Sequence, residues 1–198
     1  TVFNALTGLN QHTGNWPGKT VASAQGSYAF NNRRYILVDI PGTYSLMANS
    51  AEEEVARDFI LFGGPDATVI VVDATCVERN LNLVLQTLEI TDRVVVCVNL
   101  MDEAARKGIS VDLGLLARRL GVPVVGTSAI RKDGLAGLVR AVDRVASGRA
   151  ESRPARVDYH PALERAAAAV RRELTPYLKG KIDPRWAAIR LLEGDNAL

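Results

Sequence analysis

The sequence predicts an α/β protein with a doubly wound, mostly parallel sheet. Three continuous apolar runs, at residues 68–72, 94–98 and 122–125, are of the kind that is buried on both faces in a parallel sheet. Apolar residues recur at helical spacing between these runs. Polar residues follow the carboxyl ends of the runs, where open α/β sheets bind their ligands.

The predicted elements begin with a short helix over residues 2–7. Residues 27–30 and 35–38 flank the pair Asn31-Asn32, which favours a two-residue hairpin turn, so we expect these segments to pair as antiparallel strands. Helices between the three later strands follow from apolar residues three or four positions apart. These residues are Leu81, Leu85 and Leu88, then Leu115, Leu116 and Leu120, then Leu135, Leu138, Val139 and Val142.

A change of pattern after residue 147 predicts a second unit, which is helical. Residues 148–160 are predicted to be a linker, after which Pro161 opens an alanine-rich helix that runs to about Leu178. Pro184 opens another helix, with Trp186, Ile189 and Leu192 on one face. The pattern alone leaves two roles open for this unit: a hairpin that only packs on the first domain, or a regulatory element.

Asn99 and Asp102 form the most informative polar pair. They stand three positions apart at the carboxyl end of the apolar run 94–98. A carboxylate at such a site can accept both the N1 proton and the exocyclic amine of guanine, donors that adenine does not offer. Asparagine and aspartate are also common turn formers and helix N-caps, so other signals must decide between these interpretations.

Two further segments favour the nucleotide interpretation. Asp39 ends the apolar run 35–38, where an acid can hold Mg²⁺ through water, and Gly42 lets a backbone N–H approach a terminal phosphate. The small residues 127–129 follow the run 122–125 and let a loop close over the edge of a flat base. Each segment alone could simply end a strand, but together they predict a guanine nucleotide site.

Composition restricts the classes of function. The chain has 198 residues, 47% of them hydrophobic and 23% charged, which fits one full domain with a smaller appendage. A net charge of +2 is too small to indicate binding to nucleic acid or a membrane surface. Cys76 and Cys97 are predicted to be buried thiols, which fits a reducing compartment. His12 and His160 give no zinc spacing or triad, and no apolar run reaches the length of a membrane span.

The sequence resembles the FeoB family of bacterial ferrous iron transporters. The resemblance is to the N-terminal cytosolic GTP-binding domain of these proteins. Two motifs are specific to this family among small GTPases: Gly14-Asn-Trp-Pro-Gly18 and Asp39-Ile-Pro-Gly-Thr-Tyr-Ser-Leu46. Further matching segments lie at residues 2–8, 20–21, 53–58, 72–75, 78–81, 99–102 and 185–195. The resemblance therefore covers nearly the whole chain.

The resemblance implies a domain organisation and a function. Residues 1–147 would be a GTP-binding domain of the P-loop GTPase type, 148–160 a linker, and 161–198 the start of a helical, GDI-like domain. The implied activity is hydrolysis of GTP to GDP and phosphate with Mg²⁺ and K⁺, in a switch that couples nucleotide state to Fe(II) uptake. The implied location is the cytoplasmic face of the bacterial inner membrane.

The implied partners are guanine nucleotide and the C-terminal membrane domain of the same polypeptide. The resemblance also allows a small companion protein of the transporter and a homo-oligomer. It gives no reason to expect nucleic acid.

The resemblance assigns roles on the phosphate side of the site. The backbone of Thr1 would lie beside the α-phosphate, Asp39 would hold Mg²⁺ through water, and Gly42 would sense the γ-phosphate. Thr20 looks like the first-switch threonine that ligates Mg²⁺, although it could equally be a β-branched residue opening a strand. Thr20 and Gly42 are thus the catalytic candidates.

The base would be bound by Asn99 and Asp102, with Ser128 and Ala129 closing over it. Leu100 stands where many GTPases have lysine, so its apolar stem can cover the base but the polar contact is lost. The backbone carbonyls of Gly14 and Trp16 would ligate K⁺, which adds positive charge in the transition state. The side chain of Trp16 is better explained as a hydrophobic anchor of a loop.

Two departures from the family bear on catalysis. The chain begins at Thr1, the residue after the Gly-rich phosphate loop of the family, and we expect the first strand and this loop to precede it. A protein without that loop would bind nucleotide weakly and hydrolyse it negligibly. Residues 43–45 include no glutamine to orient the attacking water, so water must be positioned otherwise.

Two alternative functions remain open on sequence alone. A GTPase of ribosome assembly or tRNA modification shares the Asn-x-x-Asp logic, but the tail has neither a dense basic stripe nor an aromatic stacking pattern for RNA. A catalytically degenerate GTPase-like scaffold would bind partners through its helices. A phosphate loop upstream of Thr1 favours the enzyme over the scaffold.

Overall fold

The computed structural model describes residues 2–8, 11–15, 22–47, 50–178 and 182–194, with the backbone alone for 11–15 and 22–23. The strands in these ranges are β1 (Gln11–Asn15), β2 (Ala22–Phe30), β3 (Arg33–Asp39), β4 (Thr68–Asp73), β5 (Val94–Asn99) and β6 (Val124–Gly126). The α-helices are α1 (Val2–Thr7), α2 (Ala51–Phe62), α3 (Val77–Ile90), α4 (Met101–Arg106), α5 (Leu113–Leu120), α6 (Leu135–Ala146), α7 (Pro161–Leu178) and α8 (Pro184–Leu192). A short 3-10 turn spans Ala129–Arg131.

The described strands form two three-stranded sheets, one antiparallel in the order β1-β2-β3 and one parallel in the order β4-β5-β6. The predicted hairpin is confirmed, because Phe30 pairs with Arg33 across Asn31 and Asn32. The two asparagines have φ of 48° and 58°, which a type I′ turn requires. β1 has no signal in the sequence, since Gln-His-Thr-Gly-Asn lacks apolar alternation.

Helices cover both faces of the parallel sheet, which confirms the doubly wound α/β class. Residues 94–98 of the central strand β5 are all fully buried. Alternate β5 side chains pack on one side with α3 and α5, in a cluster that contains Val84, Leu88 and Leu120. The other β5 side chains pack with α6 and α1, in a cluster that contains Leu138, Val142 and Val2. This central strand is therefore a rigid support for whatever lies at its carboxyl end.

The helical unit, defined as α7 and α8, packs on the end of the sheet domain. Trp186 and Ala187 of α8 form a buried cluster with Leu61 of α2, and Ile90 of α3 packs against it. Leu174 and Leu178 of α7 complete this contact. No helix within the described ranges is long and apolar enough to cross a membrane.

A charged contact centred on Arg185 also joins the helical unit to the sheet domain. Its guanidinium donates to Glu89 on α3, to Glu164 on α7 at 2.8 Å, and to the carbonyl of Val157 at 2.7 Å. The hydrogen bond from Arg185 lowers the pKa of the Glu164 carboxyl. Glu89 also accepts the backbone N–H of Val157 at 2.8 Å, so part of the predicted linker is fixed against α3.

The prediction that Cys76 is buried is wrong. Cys76 is exposed rather than buried, because it occupies the N-cap of α3, in the turn after β4. Of the three residues predicted to share one face of α8, Trp186 and Ile189 are buried, whereas Leu192 is 41% exposed. The neighbours of α8 enclose its beginning, residues 186–189, and Leu192 is the last residue of the helix, beyond that enclosure.

Candidate functional site

The carboxyl end of β5 turns abruptly into helix α4. Asn99 is the last residue of β5, Leu100 adopts a left-handed φ of 65°, and α4 begins at Met101. Asn99 and Asp102 therefore lie on either side of one tight turn at the end of the sheet. Both are partly exposed, so the pair lies at the mouth of the sheet rather than within its core.

Residues 127–129 are fastened to this turn. The backbone N–H of Ala129 and the hydroxyl of Thr127 both donate to Oδ1 of Asn99, each at 3.0 Å. These two bonds fix the plane of the Asn99 carboxamide, while its Nδ2 donates to none of the described residues. Three more bonds complete the fastening: Thr127 N to Val98 O at 2.8 Å, Met101 N to Thr127 O at 3.1 Å, and Asp102 N to Ser128 Oγ at 3.2 Å.

The loop formed by residues 127–134 is closed tightly on itself. Ser128 and Asp133 exchange backbone hydrogen bonds of 3.1 and 3.2 Å across the 3-10 turn. Gly134 has a φ of 74°, and a Cβ there would lie 2.1 Å from the carbonyl oxygen of Gly126. A side chain cannot be accommodated at Gly134, so this glycine fixes the path of the loop back into α6.

Asp102 is held ionised by its surroundings. Its Oδ2 lies 3.1 Å from Nε of Arg131, and its side chain is 19% exposed. Burial acts to raise the pKa of the Asp102 carboxyl, but hydrogen bonding with the Ser128 side chain and the charge of Arg131 outweigh burial and hold the pKa below its ordinary value. The group at the end of the sheet is therefore a carboxylate at neutral pH, which accepts hydrogen bonds only.

Asp73 shapes the neighbouring strand end. It pairs in register with Asn99, and its Oδ1 accepts the backbone N–H and the hydroxyl of Thr75 at 2.7 and 2.8 Å. Burial acts to raise the pKa of Asp73, but these two hydrogen bonds, with help from Cys76 and Lys107, leave it lowered. Asp73 uses its oxygens to turn the chain into α3, so it supports the site from beside it.

The predicted phosphate-side residues are only partly described. Asp39 is the last residue of β3 and is exposed, and Gly42 follows it in a loop. No hydrogen bond or ion pair between described residues joins Asp39 or Gly42 to the group around Asn99. Gly14, which was expected in a loop, lies in β1 opposite Ser23. Thr1, Trp16 and Thr20 lie outside the described residues.

The segment after Gly42 contacts both α3 and α8. The backbone N–H of Leu46 donates to Oε1 of Gln86 at 2.7 Å, and the guanidinium of Arg79 lies 4.4 Å from the ring centroid of Tyr44. At the end of the segment, Arg190 of α8 contacts the sulfur of Met47 at 2.9 Å. This segment is thus held between the sheet domain and the helical unit.

Side chains suited to a structural metal do not cluster in the described part of the chain. No group of three or more His, Cys, Asp or Glu residues is placed there to hold a metal ion.

Comparison with known families decides the affiliation of the chain. Residues 1–142 match the family model of ferrous iron transport protein B, and residues 159–198 match that of the FeoB cytosolic helical domain. The chain belongs to the FeoB family. The matches give no support to the ribosome-assembly, tRNA-modification or scaffold alternatives.

Relatives within the FeoB family are similar along almost the whole chain. The Fe(2+) transporter FeoB of Salmonella choleraesuis is 37% identical over 199 residues, which cover 98% of this chain and 25% of that protein. The Fe(2+) transporter FeoB of Escherichia coli strain K12 is 36% identical over 199 residues, which again cover 98% of this chain and 25% of that protein. The chain therefore spans about a quarter of the length of these curated relatives.

Solved FeoB cytosolic domains have the same fold. The GMPPNP form of the T. maritima domain gives a TM-score of 0.89 at 34% identity and covers 98% of this chain and 76% of that one. The L. pneumophila domain gives 0.88 at 30% identity, over 99% of this chain and 83% of that one. The T. maritima domain has also been solved in GDP forms. The chain thus has the GTPase-type fold of a FeoB G domain followed by helices.

Three residues at the site carry little or no signal in the sequence. Thr127 appears there only as a small residue of a loop, yet it is 2% exposed and bonds to Asn99. Arg131 looks like any surface arginine. Asp73 belongs to a family-matching segment, but no pattern predicts that it pairs with Asn99.

Substitution Thr127→Val should destabilise the loop that carries Ser128 and Ala129. Valine has nearly the same shape but removes the donor to Asn99 and the contact with the Cys97 sulfur at 3.2 Å, in a buried place. We expect the free energy of unfolding to fall by about 1–3 kcal/mol. Denaturant unfolding measures this, with Thr175→Val on exposed α7 as a control that should stay within about 0.5 kcal/mol. Equal stability of Thr127→Val and wild type would contradict the buried hydrogen-bond network.

Proposed function

We propose that this chain is the guanine-nucleotide switch of a ferrous iron transporter, binding GTP and GDP at the carboxyl end of its parallel sheet. The observation that carries the proposal is the arrangement of Asn99 and Asp102 around one turn, fastened to residues 127–129. Its family membership and the GDP and GMPPNP forms of the T. maritima relative support it.

The chemistry of the arrangement suits guanine. Asp102 is a partly exposed carboxylate that can accept the N1 proton and the exocyclic amine of the base. Oδ1 of Asn99 is occupied by Thr127 and Ala129, which leaves the two Nδ2 protons for the acceptors on the opposite edge of the purine. Ser128 and Ala129, fixed by the same bonds, would border the base. Adenine would leave the carboxylate without donors, which is costly.

On the phosphate side, we propose roles at Mg²⁺ and the phosphates for Asp39, Gly42, Thr1 and Thr20. Asp39 would hold Mg²⁺ through water, Thr20 would ligate it directly, and the Thr1 backbone would lie by the α-phosphate. A Cβ on Gly42 would meet no atom of the described residues within 4 Å, so none of these residues requires a glycine there. Close approach of a terminal phosphate would explain it. Mg²⁺, when bound, supplies charge that offsets the phosphates.

Nucleotide hydrolysis and its coupling to iron uptake belong to the same proposal. The segment 43–47, next to Gly42, contacts α3 and α8, so a change at Gly42 would reach the helical unit directly. In the whole transporter that unit would pass the change to a membrane domain of the same polypeptide, at the cytoplasmic face of the inner membrane.

The test of this function is calorimetric titration of the intact polypeptide with GDP and ADP in the presence of Mg²⁺. We expect GDP to bind and ADP to bind at least roughly 100-fold more weakly, because a site built to bond particular donors rejects analogues without them. Equal affinities would refute the base-reading role. Absence of binding by either nucleotide would refute the function.

Stimulation by potassium follows from the family relationship. We expect GTP hydrolysis by the intact polypeptide to be faster in K⁺ than in Na⁺ at equal ionic strength, because a cation near the transferring phosphate offsets developing charge. The Gly14 carbonyl would bind K⁺ from near the end of β1, at the edge of the antiparallel sheet. Equal phosphate-release rates in the two salts would remove K⁺ from the proposal and leave the guanine site intact.

A further inference from the structure

Arg131 lies where the base-reading carboxylate and the base-bordering loop meet. It is the last residue of the 3-10 turn Ala129–Arg131, and its Nε is 3.1 Å from Oδ2 of Asp102. The guanidinium side chain is 63% exposed, whereas the carboxylate is 19% exposed. The exposed guanidinium of Arg131 thus forms an ion pair with the less exposed carboxylate of Asp102.

We propose that Arg131 is a positioning residue for nucleotide recognition, holding the Asp102 carboxylate in the orientation that receives the two guanine donors. This inference rests on the proposed function, because it assigns Arg131 a role only through Asp102. It identifies a determinant of guanine affinity that lies outside the Asn-x-x-Asp pair.

The hydrogen-bonding capacity of a carboxylate allows Arg131 and guanine to bind together. An ionised carboxylate has about four lone-pair sites. The ion pair with Arg131 can use one on Oδ2, and the neighbouring Ser128 hydroxyl can use another. Two sites remain, which is the number that the N1 proton and the exocyclic amine of guanine need. Arg131 therefore supports the carboxylate rather than competing with the base.

The backbone that carries Arg131 is rigid enough for this role. The N–H of Arg131 donates to the carbonyl of Ser128 at 2.9 Å, and Ser128 is bonded to Asp133 on the other side of the turn. The same turn is tied to Asn99 through Ala129. Orienting Asp102 through Arg131 therefore also fixes it relative to the loop that borders the base.

The other charged groups near Asp102 do not replace Arg131. Arg106, on the same helix, contributes a weaker favourable charge but is itself bonded to Glu103 at 3.5 Å. Among the described residues, Arg131 is the cation that forms an ion pair with Asp102. Its removal would leave the carboxylate with the Ser128 side chain and a more distant charge.

The experiment compares Arg131→Ala and Arg131→Lys with wild type in the intact polypeptide. Binding is measured by calorimetric titration with GDP and with XDP, the corresponding xanthine nucleotide. Arg131→Ala should weaken GDP binding about threefold, as expected for a partly exposed ion pair, with the melting temperature unchanged. Arg131→Lys should recover part of the loss. Arg119→Ala, which removes the same charge from an exposed position on α5, should bind GDP as wild type does.

A double-mutant cycle separates positioning from a general effect of charge. In an Asp102→Asn background titrated with XDP, Arg131→Ala should change nothing, because the carboxylate that it orients is gone. An equal loss in that background would overturn the inference, as would unchanged or tighter GDP binding by Arg131→Ala alone. If wild type binds GDP no better than ADP, the proposed function fails and this inference fails with it. If wild type prefers GDP and the Arg131 variants match it, only this inference fails.

Discussion

Replacement of Asp102 by asparagine should lower the affinity for GDP by roughly 100-fold or more and raise the affinity for XDP, the xanthine nucleotide. The carboxylate accepts two donors of guanine, and an asparagine amide would place one of its own donors against the exocyclic amine. Xanthine has a carbonyl where guanine has that amine, so the introduced amide can donate to this carbonyl while its oxygen accepts the N1 proton. Titration of the intact polypeptide with both nucleotides measures the exchange.

The control for this experiment is Glu103→Gln, which removes one negative charge from the next residue of α4. The Glu103 side chain is bonded to Arg106 at 3.5 Å, and the residue joins the turn after Asn99 only through its backbone N–H, which donates to the Leu100 carbonyl at 3.0 Å and is kept in the variant. We expect its GDP and XDP affinities to equal those of wild type. An Asp102→Asn protein that kept its GDP affinity, or gained nothing for XDP, would contradict the assignment of Asp102 to the base.

Truncation of Trp186 to alanine should produce the largest loss of stability. Trp186 is 7% exposed and packs in one cluster with Leu61 of α2 and with Leu174 and Leu178 of α7. Removing a buried indole leaves a cavity between two helices of the helical unit and α2, at a cost of about 3–5 kcal/mol. Denaturant unfolding of the chain measures this cost.

Amide hydrogen exchange in Trp186→Ala tests whether the helical unit supports α2. α2 follows the segment after Gly42, so it connects the proposed phosphate sensor to the helical unit. We expect amides of α2, as well as those of α7 and α8, to exchange faster in Trp186→Ala. Leu192→Ala, on the exposed end of the same helix, is the matched control and should change stability by less than about 0.5 kcal/mol. Unchanged protection of α2 in Trp186→Ala would show that the helical unit does not support that helix.

The fold was largely predictable because its strongest signals are local. The apolar run 94–98 is buried on both sides, and such a run predicts a central parallel strand wherever it occurs. The boundaries of α7 at Pro161 and Leu178 agree with the prediction, because a proline fixes where that helix starts. β1 and the exposure of Leu192 depend on which neighbours are near, and the sequence pattern holds no such information.

The position of Asn99 and Asp102 at a strand end could be predicted from the sequence, but the residues that hold these two side chains in place could not. Asn99 and Asp102 can be recognised in the sequence because they directly follow the apolar run 94–98 and are only three positions apart. The contacts of Thr127 with Asn99, and of Arg131 with Asp102, join residues that are 28 and 29 positions apart. Such contacts depend on the pairing of β5 with β6, so they appear only once the strands are placed together.

The most direct measurement is a crystal structure of the intact polypeptide with GDP bound. The central claim predicts that both carboxylate oxygens of Asp102 lie within about 3 Å of guanine N1 and the exocyclic nitrogen, and that Nδ2 of Asn99 faces the opposite edge of the base. Ser128 and Ala129 should border the ring. A guanine bound elsewhere, or bound at this end of the sheet without contact to Asp102, would contradict the account.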